Sequence, residues 1–260
     1  MVDNFYIIDL NKIDNKDVKY LMSTSHDTWT WHRRLGHANF ELMNDICKNE
    51  LVIGLPKLKF NKDKPCDACQ KEKQSKSSFK LKNVVSTSRP LELIHMDLFS
   101  PTRVASLGGM HYAYVLVDDY SRYTWVCFLA HKNDAFKAFE NFTKRVQKEK
   151  ELCISSIRTD HGTEFENEFF KNFYNENGMS HTFSSPRTPQ QNGVVERKNR
   201  TLVEMARTML HEYNLPLYFW AEAINTSCYI SNRFFKRPIL KKTSYELWNN
   251  RKPKSKSIWM

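Results

Sequence analysis

Residues 91–100, LELIHMDLFS, with HYAYVLVDDY at 111–120 and RYTWVCFLA at 122–130, decide the fold. All three runs are strand-sized and rich in aromatic and β-branched residues, and turn formers separate them: SLGG at 106–109 and DDYS at 118–121. They read as a three-stranded meander. Downstream the period changes. In KNDAFKAFENFTKRVQKEK (132–150), Phe136, Phe139, Phe142 and Val146 recur at helical spacing, so the stripe reads as core rather than as a base-stacking platform. CISSIRT (153–159) is a short strand, FENEFFKNFYNENG (165–178) a helix stopped by Gly178, and MSHTFS (179–184) a fifth strand. SSPRTPQQNG (184–193) reads as an irregular loop. GVVERKNRTLVEMARTMLHEYN (193–214) reads as a long helix with Leu202, Met205 and Met209 inward, and Pro216 opens one more helix to about Arg233. This order predicts an α/β fold, a five-stranded mixed sheet with flanking helices.

Upstream lies a smaller unit. A helical reading starts near Thr28–Arg33 and covers ELMNDICK (41–48), and the Lys-rich, Ser-rich stretch from Lys57 to Lys82 reads as loop and linker. His32 and His37 are separated by four residues, Cys66 and Cys69 by two. Two imidazoles and two thiolates suit one tetrahedral structural Zn²⁺, and so short a segment needs such a staple. The plain alternative is a pair of ordinary histidines and two unrelated thiols. Cys47, Cys127, Cys153 and Cys228 sit among apolar residues and read as simple buried side chains. Six cysteines at irregular spacing suit a reducing compartment.

The chain of 260 residues is 40% hydrophobic and 27% charged, enough for a buried core. No apolar run reaches membrane-spanning length, and the acidic beginning carries no secretory h-region. The net charge of +11 is concentrated in residues 57–82, which sum to +6, and 233–256, which sum to +8. Between them the chain is close to neutral. Basic arms around a neutral body suit a polyanion, with solvated Lys-rich linkers as the bland alternative. The expected division is therefore a zinc-binding module with linker (1–82), a core (83–232) and a basic tail (233–260).

Three carboxylates draw notice. Asp97 interrupts an apolar strand, which is costly unless the acid is paired or metal-bound. Asp160 follows the fourth strand, and Glu196 lies in the first turn of the long helix. A strand, a strand end and a helix start can converge as hard oxygen ligands for Mg²⁺ or Mn²⁺. Their spacing alone leaves open a set of caps and surface acids. Asp118 and Asp119 read as turn formers before Ser121, and His161 as a loop histidine.

WHRRLGHANF with the later CDAC, then HMDLFSP, VDDYSRYTWVCFL, IRTDHGTEFEN and SSPRTPQQNGVVERKNRTLVEMARTML, ending in TSYELW, resemble the integrase segment of copia-type long-terminal-repeat retrotransposon polyproteins. The likeness runs from about Tyr6 to Arg251. It implies that His32, His37, Cys66 and Cys69 are an HHCC zinc module and that Asp97, Asp160 and Glu196 are a DDE triad on an RNase-H-like core. It further implies two divalent ions at that triad, with Asp97 shared between them, Asp160 completing one site and Glu196 the other. The expected reaction is phosphodiester cleavage and strand transfer on double-stranded DNA, both element ends and target. A homo-oligomer in the nucleus, with cytoplasmic assembly, would carry it out, without a membrane step. Lys198 and Arg200 are expected on DNA phosphates, with solvated helix charge as the alternative. Gln190, Gln191 and Asn192 are expected in a loop leaning over a DNA end, with a mere polar turn as the alternative. The chain stops soon after TSYELW, which reads as an integrase fragment or the product of a decayed element. The rival expectation is a catalytically silent DNA-binding remnant, and a further one is RNA strand hydrolysis by the same fold.

Overall fold

A computed structural model of the chain describes residues 24–56, 59–60, 64–73, 86–160, 162, 164–183 and 189–255. Helices α1 (Thr24–Arg34), α2 (Phe40–Lys48) and α3 (Asp67–Glu72) form the leading unit. The meander follows as β1 (Leu93–Phe99), β2 (Tyr112–Asp118) and β3 (Thr124–Leu129). Then come α4 (Ala135–Lys150), β4 (Ser156–Thr159), α5 (Glu168–Glu176), β5 (Ser180–Phe183), α6 (Pro189–Glu212) and α7 (Trp220–Phe234). The sheet order is β3-β2-β1-β4-β5; the meander is antiparallel, and β4 and β5 run parallel to β1. It is the five-stranded mixed sheet the pattern predicts.

Strand alternation sorts β1 between two faces. Ile94, Met96 and Leu98 pack with Phe139, Phe142 and Val146 of α4 and Phe170 and Tyr174 of α5. The odd positions, Asp97 among them, fall on the other face, where Phe99 joins the clusters of α6 and α7. Val115 and Val117 of β2 meet Val195 and Leu202 of α6 there, with Cys228 of α7. Burying that apolar face presses the start of α6 over the ends of β1 and β2. Pro189 opens α6, so Gln190, Gln191 and Asn192 belong to its first turn rather than to a loop.

The leading unit packs on the core, because Leu35, Phe40, Met43 and Ile46 share one cluster with Met205, Ile230 and Phe234 of α6 and α7. Met205 is buried, in keeping with its inward place on the helix, and its neighbours are those of this unit. The expected basic tail differs in one respect, because the segment from 233 to 255 is folded. It forms the ladder β6 (Lys236–Arg237) with β7 (Lys242–Thr243), then α8 (Ser244–Asn249). Trp248 of α8 is buried beside Tyr123 and Trp125, and its indole N–H donates to Glu149 Oε1 at 2.8 Å.

Candidate functional site

At the end of α1 the chain turns through Gly36 and His37, both left-handed at φ +61° and +58°. The His37 N–H donates to the His32 carbonyl at 2.8 Å, which folds the two imidazoles together with centroids 4.9 Å apart. His32 Nδ1 bonds the Ala38 carbonyl at 2.9 Å, so its proton sits there and Nε2 faces outward as an acceptor. That Nε2 lies 3.4 Å from Cys69 Sγ, while His37 Nδ1 lies 3.4 Å from Cys66 Sγ and 3.6 Å from Cys69 Sγ. Cys66 caps α3 and Cys69 follows one turn on, which sets both sulfurs on one side. All four donor atoms lie within 4.8 Å of one another. A tetrahedron with bonds of about 2.3 Å to sulfur and 2.0 Å to nitrogen has S···N edges of about 3.5 Å, so the arrangement fits zinc. Burial lowers the His37 pKa to about 3, favouring the neutral imidazole that ligates. Burial also lifts the Cys69 thiol to about 11, so a dication is what would hold that sulfur as thiolate.

The second site lies at the carboxyl ends of β1 and β4. Their parallel register pairs Leu93 with Ser156, Ile94 with Ile157 and His95 with Arg158. Carrying the same offset two residues onward sets Asp160 opposite Asp97. Glu196 rises from the second turn of α6, whose neighbour Val195 is anchored under it on the sheet. Burial lifts the Asp97 carboxyl to about 7, and the charges of Asp160, then Glu196 and Glu164, add to the lift. These charges therefore crowd the same corner of the molecule. Two donors fix the Asp97 carboxylate against them: its own chain's Leu98 N–H on Oδ1 at 2.9 Å, and Asn199 Nδ2 on Oδ2 at 2.6 Å. The Gly162 N–H donates to Asp160 Oδ1 at 3.1 Å.

Sequence reasoning missed Asn199 and Glu164. Asn199 stands three residues after Glu196, on the same side of α6, a spacing that could have flagged it. Glu164 lies inside the IRTDHGTEFEN stretch without a distinguishing pattern of its own.

The expected phosphate contacts fare differently from one another. Lys198 is corrected: its ammonium faces α7, donates to Ser231 Oγ at 3.3 Å and is lowered by burial to about 8. Half-buried, it is turned toward α7 rather than outward to a phosphate. Arg200 is exposed, as is Arg197, whose guanidinium lies over Gly193. Asn192 is buried with its Oδ1 unpartnered, which removes it from a surface over DNA. The side chains of Gln190 and Gln191, and His161, lie outside the described residues.

Asp118 does form the turn, accepting from the Ser121 N–H and Oγ at 2.7 and 2.6 Å, and it also accepts from the Leu91 N–H. Asp119 does more. It accepts from Ser86, Thr87 and Arg122 and pairs with His95 Nε2 at 3.0 Å, while Arg237 donates to its carbonyl. Burial pushes its carboxyl up, but the His95 bond and the Arg122 charge together hold it well below the usual carboxylate range. Neither acid belongs to the Asp97 corner.

Comparison with known proteins bears on the domains and the fold. A GAG-pre-integrase domain model matches residues 4–74, and an integrase core domain model matches 87–189. The Pol polyprotein of the tobacco transposon TNT 1-94 (Nicotiana tabacum) is 35% identical over 224 residues, 85% of this chain. Those of the Arabidopsis thaliana transposons RE2 and RE1 are 32% and 31% identical over 205 residues. The chain spans only 16% and 14% of the length of those polyproteins. Among solved structures, a chain of the simian T-cell lymphotropic virus intasome in complex with PP2A regulatory subunit B56 gamma shares the fold. Its TM-score is 0.51 at 19% identity, over 70% of this chain and 63% of that one. The magnesium-bound HTLV-2 integrase catalytic core matches 61% of this chain and 97% of its own, at 20% identity and a TM-score of 0.47. A GAG-pre-integrase domain followed by an integrase core on an RNase-H-like sheet places this chain in the integrase family of copia-type retrotransposon Pol polyproteins.

Proposed function

We propose that this chain cuts and joins DNA strands at Asp97, Asp160 and Glu196, and that the zinc module serves structure alone. The observation that carries the reading is Asp97, a strand carboxylate lifted to about 7 by burial and by the charges of Asp160 and Glu196. Such a cluster repels itself unless cations share it. When bound there, a pair of Mg²⁺ or Mn²⁺ ions supplies Lewis acidity to the attacking oxygen and to the scissile phosphodiester.

The chain's own residues supply the positioning. Asp97, Asp160 and Glu196 would hold these ions, with Asp97 the buried member of the three. Asn199 and Leu98 each fix one oxygen of Asp97, so it presents its free lone pairs in one direction. Arg197 and Arg200, exposed beside Glu196, meet phosphates of the bound strand. In the module, His32, His37, Cys66 and Cys69 hold zinc and thereby fix α3. The working form is a homo-oligomer on two DNA ends, and its place of action is the nucleus.

A divalent-dependent strand-transfer assay on an oligonucleotide with a free 3′-hydroxyl tests this, comparing the parent with Asp160→Asn. Product from the parent alone supports the reading. Equal signal from both removes the enzyme and leaves a DNA-binding protein, and cleavage confined to an RNA–DNA hybrid would assign the site to RNA hydrolysis.

A further inference from the structure

Gly162 has an unusual surrounding for a glycine. A Cβ built on it would lie 2.9 Å from the Glu164 carboxyl carbon, 3.0 Å from Glu164 Oε2 and 3.1 Å from Asp160 Oδ1. The space a side chain would fill is thus taken by two carboxylates that both approach it closely. Their oxygens stand within about 6 Å of each other, a range in which like charges repel strongly unless a cation lies between them. The turn that brings Glu164 back is tightly made. The Gly162 N–H donates to Asp160, its carbonyl accepts from the Phe165 N–H at 2.9 Å, and Asn167 Nδ2 donates to the Glu164 carbonyl at 3.0 Å. Buried Phe165 pins the turn to the core.

The Glu164 side chain is only 9% exposed, yet its one ionic partner among the described residues, Lys132, stands 3.5 Å away and is half exposed. A second observation points the same way. Asn199 is 8% exposed, its Nδ2 is spent on Asp97, and its Oδ1 is buried without a partner. The corner thus gathers four carboxylates and an orphaned amide oxygen around few donors, which is the chemistry of a hard cation.

We infer that Glu164 is a fourth carboxylate of this cation site, closing it on the Asp160 side. The inference rests on the reading that Asp97, Asp160 and Glu196 hold divalent ions, and it adds a donor that the three-carboxylate scheme lacks. It also accounts for Gly162, since any larger residue would push the Glu164 carboxylate off Asp160.

The test uses Mn²⁺ alone as probe, titrated into the full 260-residue chain with the zinc site filled and followed by the EPR signal of free Mn²⁺. Far-UV circular dichroism confirms folding. Glu164→Gln should weaken Mn²⁺ binding about tenfold or more, as loss of a supporting ligand does. Gly162→Ala, which displaces the same carboxylate without removing its charge, should weaken it too. Asp160→Asn reports on the underlying reading. If Asp160→Asn loses Mn²⁺ while Glu164→Gln and Gly162→Ala bind like the parent, Glu164 is no part of the site and the inference falls alone. If all three variants bind like the parent, the site does not hold cations and both readings fall.

Discussion

Asp97 shows how a single buried residue can cost stability. Its ordinary carboxylate pKa is about 3.9, and the fold raises it to about 7 through burial first and neighbouring acids second. The folded state therefore holds the proton more tightly than the unfolded chain. Below about pH 4 both states are protonated and Asp97 has no effect. As pH rises from about 4 to 7, the unfolded chain ionises freely and the folded one does not, so stability falls across that window and stays low above it. Asp97→Asn, which cannot ionise, should remove this slope. Without added Mg²⁺ or Mn²⁺ and with zinc bound, the variant should melt above the parent at pH 8 and converge with it at pH 4. A parent that melts equally with its variant at both values would mean that Asp97 ionises without strain. Asp119 is the opposite case: a buried acid held ionised by His95 and Arg122, tying strand, turn and linker together.

At the scale of elements, what could be read from the chain followed how local the signal is. The meander, α4 and α5 were legible because each repeats its apolar period within about one run of residues. The gathering of His32, His37, Cys66 and Cys69 was legible because the spacing within each pair is local. Lys198 was misread for a geometric reason. At about 100° per residue it points roughly 200° from Glu196, and it shares a stripe with Val195 and Leu202, both buried on the sheet. Charge suggested the surface, but position on the helix decided otherwise. The segment after 233 was misread because its composition is dominated by Lys and Arg, while its anchor, Trp248, depends on partners about a hundred positions away. Glu164 was missed because its place beside Asp97 and Asp160 exists only once the strands meet, whereas the spacing of Asn199 from Glu196 was a local signal left unread. The anchor of α8 gives a direct prediction. Trp248→Ala should cost about 3–5 kcal/mol, since it empties a buried ring site beside Tyr123 and Trp125. Chemical denaturation would measure it, and a loss below about 1 kcal/mol would show that α8 is peripheral to the core.

At the scale of the whole molecule, the zinc module and the catalytic core are one folded body in this chain. Gly36, beside His37, lies so close to α6 that a Cβ there would meet Met205 Cε at 2.5 Å. Ion pairs span the same junction, Arg33 with Glu212 and Lys236 with Asp45. The C-terminal strand segment closes it from the other side, through Ile53 N–H to the Pro253 carbonyl at 2.9 Å, Ser255 N–H to the Ile53 carbonyl at 2.7 Å and Lys252 to the Glu50 carbonyl. Much of the positive charge near the C-terminus is thus used to bind chain to chain. Removing zinc should then act beyond the module, because releasing His37 frees Gly36 and uncovers Met205, Ile230 and Phe234. If that loosening costs about 3 kcal/mol, the melting temperature of the catalytic core should drop by roughly 6–12 °C for a chain of this size. Differential scanning calorimetry of the zinc-loaded chain should show one transition, and a zinc-selective chelator should lower it or split it, with Cys69→Ser reproducing the change. An unshifted core transition after zinc is stripped would mean that the contacts with α6 and α7 carry no energy and that the two units melt independently.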